Sequence, residues 1–278
     1  MCYLHGLKSK LLDKEFLELT SVKFDYAYDD LESYIITSFE EAKHTISLIN
    51  RYELKNMSIL EFGSGLGIAS ILLHLKGYNI KSFEPGGLGF EKNTLINRHI
   101  LAHLGLEIKV FEDLNDIDHG SFNLIFSNNV LEHIDNVEDV LYRLNNILSH
   151  NGIMLHNLPN YIFPYEPHFG VFFIPIYPKK MSFIINSNIT STNVWISLNF
   201  INAFDIKKFA KNMNAKITFD NMTMYHSVIR LKQDIEFQKR HSRIYRIIML
   251  IQKLGALKLL KFLPFYLSTP MVFEWKKN

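Results

Sequence analysis

The chain has 278 residues, of which 47% are hydrophobic and 21% charged, with a formal net charge of +2. This length fits one large domain, or one domain with a cap, and the composition supports a sizeable core. The near-neutral charge gives no electrostatic case for nucleic acid as the main partner. A single cysteine, Cys2, excludes an internal disulfide and a cysteine-built metal site, and it favours a reducing, cytoplasmic setting.

The N-terminal residues 1–38 carry no motif, although they are rich in tyrosine and acidic residues. Two interpretations stay open: a surface segment that packs on the main domain, or a flap over an active site. Charged residues interrupt the apolar ones here, so the segment does not fit a secretory signal, and no uncharged apolar run approaches the ~20 residues of a spanning helix. From Phe39 to Tyr52 apolar residues recur at helical spacing, which predicts a helix before the first strand.

A glycine-rich turn at 63–67 is the most informative stretch. An apolar run, Ile59–Phe62, precedes it and a helical pattern follows, so the sequence predicts strand, tight turn and helix. Glycines allow a sharp turn and close approach to a ligand, and the helix that begins here directs free N–H groups into the same gap. A dinucleotide fingerprint would need glycine at Ile68, and a P-loop would need a lysine that is missing, so neither fits.

The next predicted strand, 79–84, ends on an acidic residue, Glu84, before a Pro-Gly-Gly break. In doubly wound sheets an acid about 20 residues past the glycines binds ribose hydroxyls, because a carboxylate accepts hydrogen bonds from both. An ordinary solvated acid at a strand end is the alternative. A helix over 91–104 and a third strand over 107–111 are predicted next.

A buried strand, a polar turn and a helix are predicted from Gly120 onward, followed by a fifth strand at 153–157. The alternation of strands and helices from 57 to 157 predicts an α/β fold with a doubly wound, mostly parallel sheet and helices on both faces. A capped helix over 202–213 and a sixth strand over 215–219 follow.

Two of these segments resemble motifs of class I S-adenosylmethionine-dependent methyltransferases of the small-molecule, glycan or quinone type. The glycine turn reads Glu-x-Gly-x-Gly-x-Gly from Glu61, and the later segment contains Ser-Phe-Asn from Ser121 and Glu-His-Ile from Glu132. The family usually has aspartate at Asn123, where the change affects a structural contact and leaves the cofactor contacts in place. The resemblance, over about residues 40–225, implies S-adenosylmethionine as cofactor and a seven-stranded Rossmann-like sheet closed by an antiparallel strand, predicted at 271–275.

The resemblance also implies the residues that bind the cofactor. The acid of the first motif reaches the methionine end, the glycine turn passes beneath the cofactor, an acid holds the ribose, an acid after the third strand reaches the adenine amino group, and polar residues end the fourth strand. In this chain these are Glu61, Gly63, Ser64, Gly65, Gly67, Glu84, either Glu112 or Asp113, Ser127 and Asn128.

Methyl transfer depends mainly on alignment of the reacting atoms, but an oxygen acceptor benefits from a general base, typically by ~10²–10⁴-fold. His133 and His168 are the predicted catalytic residues, since imidazole titrates near neutral pH. The sequence shows no metal-ligand cluster. We expect methyl transfer to an oxygen of a small molecule, glycan or lipid-linked acceptor; the alternative is a catalytically silent cofactor-binding or scaffold protein of the same fold.

An aromatic, proline-rich loop begins at Leu158 and continues to Lys180. It resembles loops of some methyltransferases that are encoded with cell-surface glycan genes, and it predicts a substrate wall; a self-packed loop is the alternative. The predicted substrate contacts in and beside it are His156, Tyr161, Tyr165 and Glu166.

The predicted organisation is a lead-in or flap at 1–38, a methyltransferase domain at 39–229 and 269–278, and a helical insertion at 230–268. The centre of the insertion, 240–263, is apolar, and the charged residues of this centre are all basic: Arg240, Arg243, Arg246, Lys253, Lys258 and Lys261. Such a helix fits an anionic membrane surface, so peripheral contact through 240–263 at the inner face of a membrane is one expectation. Packing on the core and a dimer contact are the others, and the oligomeric state stays open.

Overall fold

The computed structural model describes residues 2–174, 185–233, 238 and 241–277. The loop residues Pro175 to Lys180 and Arg240 of the insertion therefore lie outside the described residues. Strands in the described part are β1 (Ser58–Phe62), β2 (Asn79–Phe83), β3 (Val110–Phe111), β4 (Phe122–Asn128), β5 (Leu148–Leu158), β6 (Tyr165–Glu166), β7 (Val171–Phe172), β8 (Lys216–Phe219) and β9 (Met271–Lys276).

Helices accompany the strands along the chain. They are α1 (Cys2–Leu11), α2 (Lys14–Phe24), α3 (Tyr28–Ile49), α4 (Ile68–Leu75), α5 (Asn93–Leu104), α6 (Val137–Ile147), α7 (Ser187–Thr190), α8 (Asn193–Ser197), α9 (Ala203–Asn212), α10 (Thr223–Gln233) and α11 (Ser242–Lys253). Short 3₁₀ turns include Leu114–Asp116, Leu131–His133 and Ala256–Phe262.

The main sheet has seven strands in the order β3-β2-β1-β4-β5-β9-β8. β1 pairs in parallel with β2 and β4, and β2 with β3, whereas β8 and β9 are antiparallel. The predicted seven-stranded, mostly parallel sheet is therefore confirmed. The strand order reverses between β1 and β4, and ligands of open α/β sheets bind outside the carboxyl ends of strands at such a point.

The chain divides into two compact units. The first unit comprises Met1–Asn128 and Tyr142–Leu155, and the second comprises Asn129–Leu141 and His156–Asn278, so β5 begins in one unit and ends in the other. The predicted domain boundaries after residues 38 and 229 fall inside α3 and α10, respectively.

In the first unit the N-terminal helices belong to the core. Asp13 caps α2 by accepting hydrogen bonds from the backbone N–H groups of Glu15 and Phe16. Leu17 in α2 and Ile35 in α3 are fully buried. α3 begins well before the predicted helix at Phe39, because apolar residues at helical spacing extend back to Leu31.

The strands β1 and β4 form the centre of this unit, and each contains a run of consecutive buried residues, 59–62 and 124–127, as buried parallel strands do. Asn123 sits at the start of β4, where the resembled family has aspartate. Its side-chain oxygen accepts from the Ser58 backbone N–H at 2.8 Å, and its side-chain nitrogen lies 3.2 Å from Ser149 Oγ. The amide thus joins the starts of β1 and β5 with one acceptor and one donor.

In the second unit, the aromatic loop packs against the segment that follows it, residues 185–200. A cluster of buried side chains consists of Tyr161, Phe173, Ile185, Trp195, Leu198 and Phe200. Asn160 is fully buried and donates from its side chain to the carbonyls of Tyr266 and Ser268, both at 3.0 Å. These bonds fix the start of the loop to the segment that leads into β9.

The predicted insertion forms part of a small helical assembly within the second unit. Val228 and Leu231 of α10 and Ile248 of α11 are buried together, and Leu257 and Leu260 pack against them. One face of α11 and of the following 3₁₀ turn is therefore covered. No helix in the described part of the chain is long and apolar enough to span a bilayer.

Candidate active site

The glycine turn follows β1 in the first unit, as predicted. Gly63, Gly65 and Gly67 all have positive φ, between 54° and 74°. The backbone N–H groups of Gly63 and Ser64 both donate to the Phe83 carbonyl, at 2.8 and 3.0 Å. This anchors the turn to the end of β2. A Cβ at Gly67 would come within 2.6 Å of the Asn97 side-chain nitrogen, so the position requires glycine for space as well as for conformation.

Glu84 lies directly beyond β2 and is 5% exposed. One carboxylate oxygen accepts from the Gly65 N–H at 2.6 Å, and the other accepts from the Gly86 N–H at 3.1 Å. Burial raises the pKa of Glu84, while these two N–H donors act in the opposite direction. The acid predicted to hold the ribose thus lies against the glycine turn.

Glu61, in β1, caps the helix that follows the turn. Its Oε2 accepts from the Ser70 backbone N–H at 2.9 Å and from Ser70 Oγ at 2.5 Å. Burial raises the pKa of Glu61 to about 7, against the effect of the Ser70 hydrogen bonds. The predicted contact of Glu61 with the methionine end of the cofactor stays a prediction, and the structure adds a role in holding α4.

Three polar side chains that the sequence analysis did not single out line the same turn. Tyr34 of α3 donates to Asn93 Oδ1 at 2.9 Å, and a Cβ at Gly65 would lie 3.7 Å from the Tyr34 oxygen and 3.8 Å from Asn93 Nδ2. Asn97 Nδ2 lies 3.3 Å from both Ser64 Oγ and the Gly65 carbonyl. The tyrosine-rich composition of the N-terminal segment was the one available signal; it left a packed surface segment and a flap both open and did not identify Tyr34.

The acids proposed for adenine recognition are both exposed. Glu112 forms an ion pair with Arg98, and Asp113 accepts from the Asn115 N–H at 2.9 Å and lies 3.4 Å from Arg143. The Asn115 N–H is the main cause of a lowered pKa at Asp113.

The predicted polar residues at the end of the fourth strand are in place. Ser127 is buried near the end of β4, and Asn128 is half-buried. β4 lies beside β1, with Phe126 opposite Glu61.

These residues of the first unit fit S-adenosylmethionine. A carboxylate oxygen has two acceptor positions, and each oxygen of Glu84 uses one of them on a backbone N–H, so a second position on each is suited to a ribose hydroxyl. A Cβ at Gly65 would contact the Tyr34 hydroxyl and the Asn93 amide, so polar side chains lie beside the backbone of the glycine turn. When bound, the cofactor would supply the methyl group on a sulfonium.

In the second unit, a short 3₁₀ turn carries Glu132 and His133. Asn199 holds this turn: its side chain donates to the Leu131 carbonyl at 2.7 Å and to the Ile134 carbonyl at 2.8 Å, and its backbone N–H donates to the Glu132 carbonyl. Glu132 is fully buried.

His133, on that turn, has its Nδ1 2.8 Å from Ser197 Oγ. Burial lowers the pKa of His133 to about 3, and the neighbouring His168 adds to the effect.

His168 comes from the aromatic loop and meets this turn. Its Nδ1 lies 2.5 Å from Glu166 Oε1, its Nε2 lies 3.9 Å from Glu132 Oε1, and its ring centroid is 5.2 Å from that of His133. Glu166 is fully buried and is held by the Phe169 N–H at 2.8 Å. The two predicted catalytic histidines are therefore neighbours.

The remaining predicted substrate residues are buried. His156 in β5 has no exposed surface, and burial lowers its pKa to about 3. The Tyr161 hydroxyl donates to Glu166 Oε1 at 3.3 Å, and the Tyr165 hydroxyl lies 2.8 Å from His241 Nδ1. Tyr161 and Glu166 thus contact each other within the loop, whereas Tyr165 contacts His241 outside it; the contacts of all four predicted residues with a substrate stay predictions.

One further grouping was missed. Glu132, His133 and His168 bring one carboxylate oxygen and two imidazole nitrogens within 4.8 Å of one another. Only the adjacent pair, Glu132 and His133, has a local sequence signal, the Glu-His-Ile motif. It could not show that a histidine from the following loop joins them.

Comparison with known proteins agrees with the geometry of the first unit. The sequence profile of the family described as "Methyltransferase domain" matches residues 34–218. The chain is 32% identical over 196 residues to "Uncharacterized protein Rv1509" of Mycobacterium tuberculosis strain H37Rv, a match that covers 67% of each chain; "Uncharacterized protein MT1557" of strain CDC 1551 matches equally.

Solved structures show the same fold. An S-adenosylmethionine-dependent methyltransferase from Mesorhizobium loti superposes with a TM-score of 0.54 at 12% identity, over 85% of this chain and 98% of that one. Phosphoethanolamine N-methyltransferase 2 from Haemonchus contortus, in complex with phosphomonomethylethanolamine and S-adenosylhomocysteine, superposes with a TM-score of 0.50 at 13% identity. That match covers 85% of this chain and 53% of the Haemonchus chain, so this chain spans about half its length. The chain therefore belongs to the methyltransferase-domain family and is an S-adenosylmethionine-dependent methyltransferase.

Proposed function

We propose that this protein transfers the methyl group of S-adenosylmethionine to an oxygen atom of a small-molecule, glycan or lipid-linked acceptor. The observation that carries the oxygen acceptor is the His168–Glu166 pair, at 2.5 Å. A hydroxyl must lose a proton to become a good nucleophile, and a histidine oriented by a buried carboxylate is a common arrangement for removing one.

The two histidines differ as proton acceptors. A base with a pKa near 3, the value to which burial brings His133, has little driving force to remove a hydroxyl proton at neutral pH. His168 is about a quarter exposed and its Nδ1 contacts Glu166 Oε1, so we assign the contact with an acceptor hydroxyl to Nε2, which lies 3.9 Å from Glu132 Oε1. We therefore assign proton removal to His168 and positioning of the acceptor to His133.

The reaction balances without a further reactant. The acceptor O–H bond breaks and its proton passes to the basic group. The oxygen forms a bond to the methyl carbon while the carbon–sulfur bond breaks, and sulfur keeps the electron pair to leave S-adenosylhomocysteine. The residues of the first unit, chiefly Glu84 and the glycine turn, would bind and orient the cofactor.

The test is product analysis with methyl-labelled S-adenosylmethionine. The protein is incubated with aqueous and organic extracts of cells, and labelled products are identified by mass spectrometry and fragmentation. We expect a labelled methyl ether or ester, and its loss in a Glu84→Ala variant. Label on nitrogen or carbon would overturn the oxygen assignment, and binding of NAD without binding of S-adenosylmethionine or S-adenosylhomocysteine would overturn the cofactor assignment.

A specific observation also favours a membrane-associated acceptor. Although one face of α11 and the next 3₁₀ turn is packed, large apolar side chains on the other side remain exposed: Ile247, Leu250, Leu254, Leu259 and Phe262. Phe262 is 81% exposed. Basic residues of the same segment are also exposed: Arg243, Arg246, Lys253, Lys258 and Lys261. Apolar side chains beside basic ones match the acyl chains and anionic headgroups of a membrane surface.

Co-sedimentation with vesicles of phosphatidylcholine and phosphatidylglycerol tests this surface. We expect binding at low salt that weakens at high salt, because a Debye length shrinks from about 30 Å at 0.01 M to about 10 Å at 0.1 M. Charge reversal of Arg243, Arg246 and Lys253 to Glu should release the protein. Reversal of three exposed lysines elsewhere, Lys55, Lys208 and Lys211, is the matched control and should have a smaller effect. Wild-type protein that stays in the supernatant at low salt would refute the proposal.

A further inference from the structure

We propose that Glu132, His133 and His168 form a binding site for one divalent transition-metal ion. The role of the metal in catalysis rests on the proposed function, whereas metal binding does not depend on it. It starts from the ligand set, since one carboxylate oxygen and two imidazole nitrogens lie within 4.8 Å of one another. Two histidines with one carboxylate suit zinc, iron, cobalt or manganese, whereas magnesium and calcium prefer oxygen ligands.

The distances are close to those of a loaded site. Nε2 of His168 and Oε1 of Glu132 are 3.9 Å apart. A tetrahedral ion with bonds of about 2.0–2.2 Å holds its ligand atoms about 3.4 Å apart. Separations of 3.9 Å and of up to 4.8 Å would therefore have to shorten by about 0.5 Å and by up to about 1.4 Å to close the cluster. Since three protein ligands leave a fourth position for another molecule, the arrangement corresponds to a catalytic metal site and not to a closed structural one.

The surrounding residues strengthen this interpretation. Metal-binding histidines usually present their second nitrogen to a carboxylate, carbonyl or hydroxyl that fixes the ring. His168 does so with Glu166 at 2.5 Å, and His133 does so with Ser197 at 2.8 Å. In both rings Nδ1 is the nitrogen so engaged, which assigns Nε2 of each ring to the metal. The hydrogen bond from Phe169 N–H to Glu166 Oε2 holds the carboxylate behind His168 in turn.

The negative charges around His168 also favour a bound cation. Glu132 and Glu166 are both fully buried on either side of His168, and buried carboxylates are costly unless a cation or hydrogen bonds compensate them. A divalent ion bound beside His168 would add two positive charges close to these carboxylates.

A metal here would change how the acceptor loses its proton. An acceptor hydroxyl in the open position would have its pKa lowered by the ion, as bound water is lowered from 15.7 to about 7 at catalytic zinc. Its proton would pass to solvent water, and the oxygen would then attack the methyl carbon as the carbon–sulfur bond breaks. In the metal-loaded protein His168 would be a ligand, so the proton removal assigned to His168 above would apply only to the metal-free protein.

The experiment measures metal binding directly, with protein purified through a tag without histidines and stripped with a chelator. Co²⁺ is titrated while its visible absorption is followed, and Zn²⁺ is used to displace it. We expect one Co²⁺ per chain with a spectrum of low coordination number. His168→Ala and His133→Ala should weaken binding by 100-fold or more, and Glu166→Gln by about 10–100-fold. His119→Ala and His150→Ala, at exposed histidines, are the matched controls and should bind as wild type.

Two outcomes overturn the proposal: wild type that binds no Co²⁺ at millimolar concentration, or His168→Ala that binds as well as wild type. Glu132 is fully buried, so loss of folding in a Glu132→Gln variant would be unrelated to metal; the deciding variant is therefore His168→Ala, because the His168 side chain is about a quarter exposed. Methyl transfer that persists at full rate in the stripped enzyme would overturn the catalytic meaning while the proposed function stands. Metal binding without any methyl transfer would support the metal site and overturn the proposed function.

Discussion

The two units use opposite means to build their sites. In the first unit, the site consists mainly of backbone groups of the glycine turn and of two carboxylates at strand ends. The hydrogen bonds of these carboxylates join residues that are close in sequence: Glu84 bonds to Gly65 across 19 positions and Glu61 to Ser70 across 9. In the second unit, side chains from separate segments make the cluster, as with His133 and Ser197, which are 64 positions apart. The comparison shows that a site built from backbone groups can be predicted from a short stretch of sequence. A site built from side chains of separate segments can be located only once the path of the folded chain is known.

The largest effect should come from the glycine turn. Gly67 and Gly77 both have positive φ, at 74° and 85°, but a Cβ at Gly67 would overlap Asn97, whereas one at Gly77 would meet nothing within 4 Å. Both alanine variants bear the conformational cost, about 1–2 kcal/mol, and only Gly67→Ala adds the overlap. We expect Gly67→Ala to lower cofactor affinity by more than 100-fold and to lower the melting temperature further than Gly77→Ala does.

Calorimetric titration with S-adenosylhomocysteine and thermal melting of both variants measure this difference. Gly77→Ala should keep affinity within a few fold of wild type. Equal loss in the two variants would mean that backbone conformation alone, and not the shape of the turn, sets cofactor affinity.

The buried titratable groups of the two units should respond to pH in opposite directions. Glu61 has a folded pKa of about 7, above the usual value near 4.5, so the folded state holds an extra proton between these values and its contribution to stability is lost as pH rises through that window. His156 has a folded pKa of about 3, below the usual 6.5, so its contribution is lost as pH falls below 6.5.

Denaturant unfolding of Glu61→Gln and His156→Gln from pH 5 to pH 8 checks these signs. The free energy of unfolding of Glu61→Gln, relative to that of wild type, should rise toward pH 8 by roughly 3 kcal/mol over the full window. That of His156→Gln, relative to wild type, should rise toward pH 5 by roughly 2 kcal/mol. Parallel pH profiles for wild type and both variants would contradict the assignment of these two groups.

A smaller effect is expected where the N-terminal segment meets the turn. Tyr34→Phe removes the hydroxyl that donates to Asn93 and keeps the ring. A neutral hydrogen bond contributes about 0.5–1.5 kcal/mol, so we expect cofactor affinity to fall by about two- to tenfold. Tyr28→Phe, in the same helix, is the control and should bind as wild type. Affinity unchanged in Tyr34→Phe would show that this helix only packs beside the turn.

Sequence patterns predicted the first unit well for physical reasons. The strand–turn–helix at 58–75 and the acid after β2 depend on local periodicity and on glycine conformation, and both are found as predicted. The start of α3 was placed too late because its first turn is rich in acids and tyrosines that mask the apolar spacing. Tyr34, Asn93 and Asn97 were missed because polar residues on helices carry no signal of what they face.

The second unit was predicted only in part for the complementary reason. His133 and His168 were chosen separately, and their proximity to each other and to Glu132 follows from the path of the aromatic loop, which no spacing rule encodes. The same holds for Asn199, whose three hydrogen bonds hold the Glu132 turn. Its type and position resemble those of any polar loop residue, so only the folded chain reveals its role.

The most direct test of this division is the affinity of two variants for S-adenosylhomocysteine. Glu84→Gln replaces a carboxylate of the first unit, and His168→Ala removes a side chain of the second. Hydrogen bonds to a charged group contribute about 1.5–3 kcal/mol each, so calorimetry should show a loss of about 10–150-fold for Glu84→Gln and a change of less than twofold for His168→Ala. Wild-type affinity in Glu84→Gln, or a large loss in His168→Ala, would contradict the assignment of cofactor binding to the first unit.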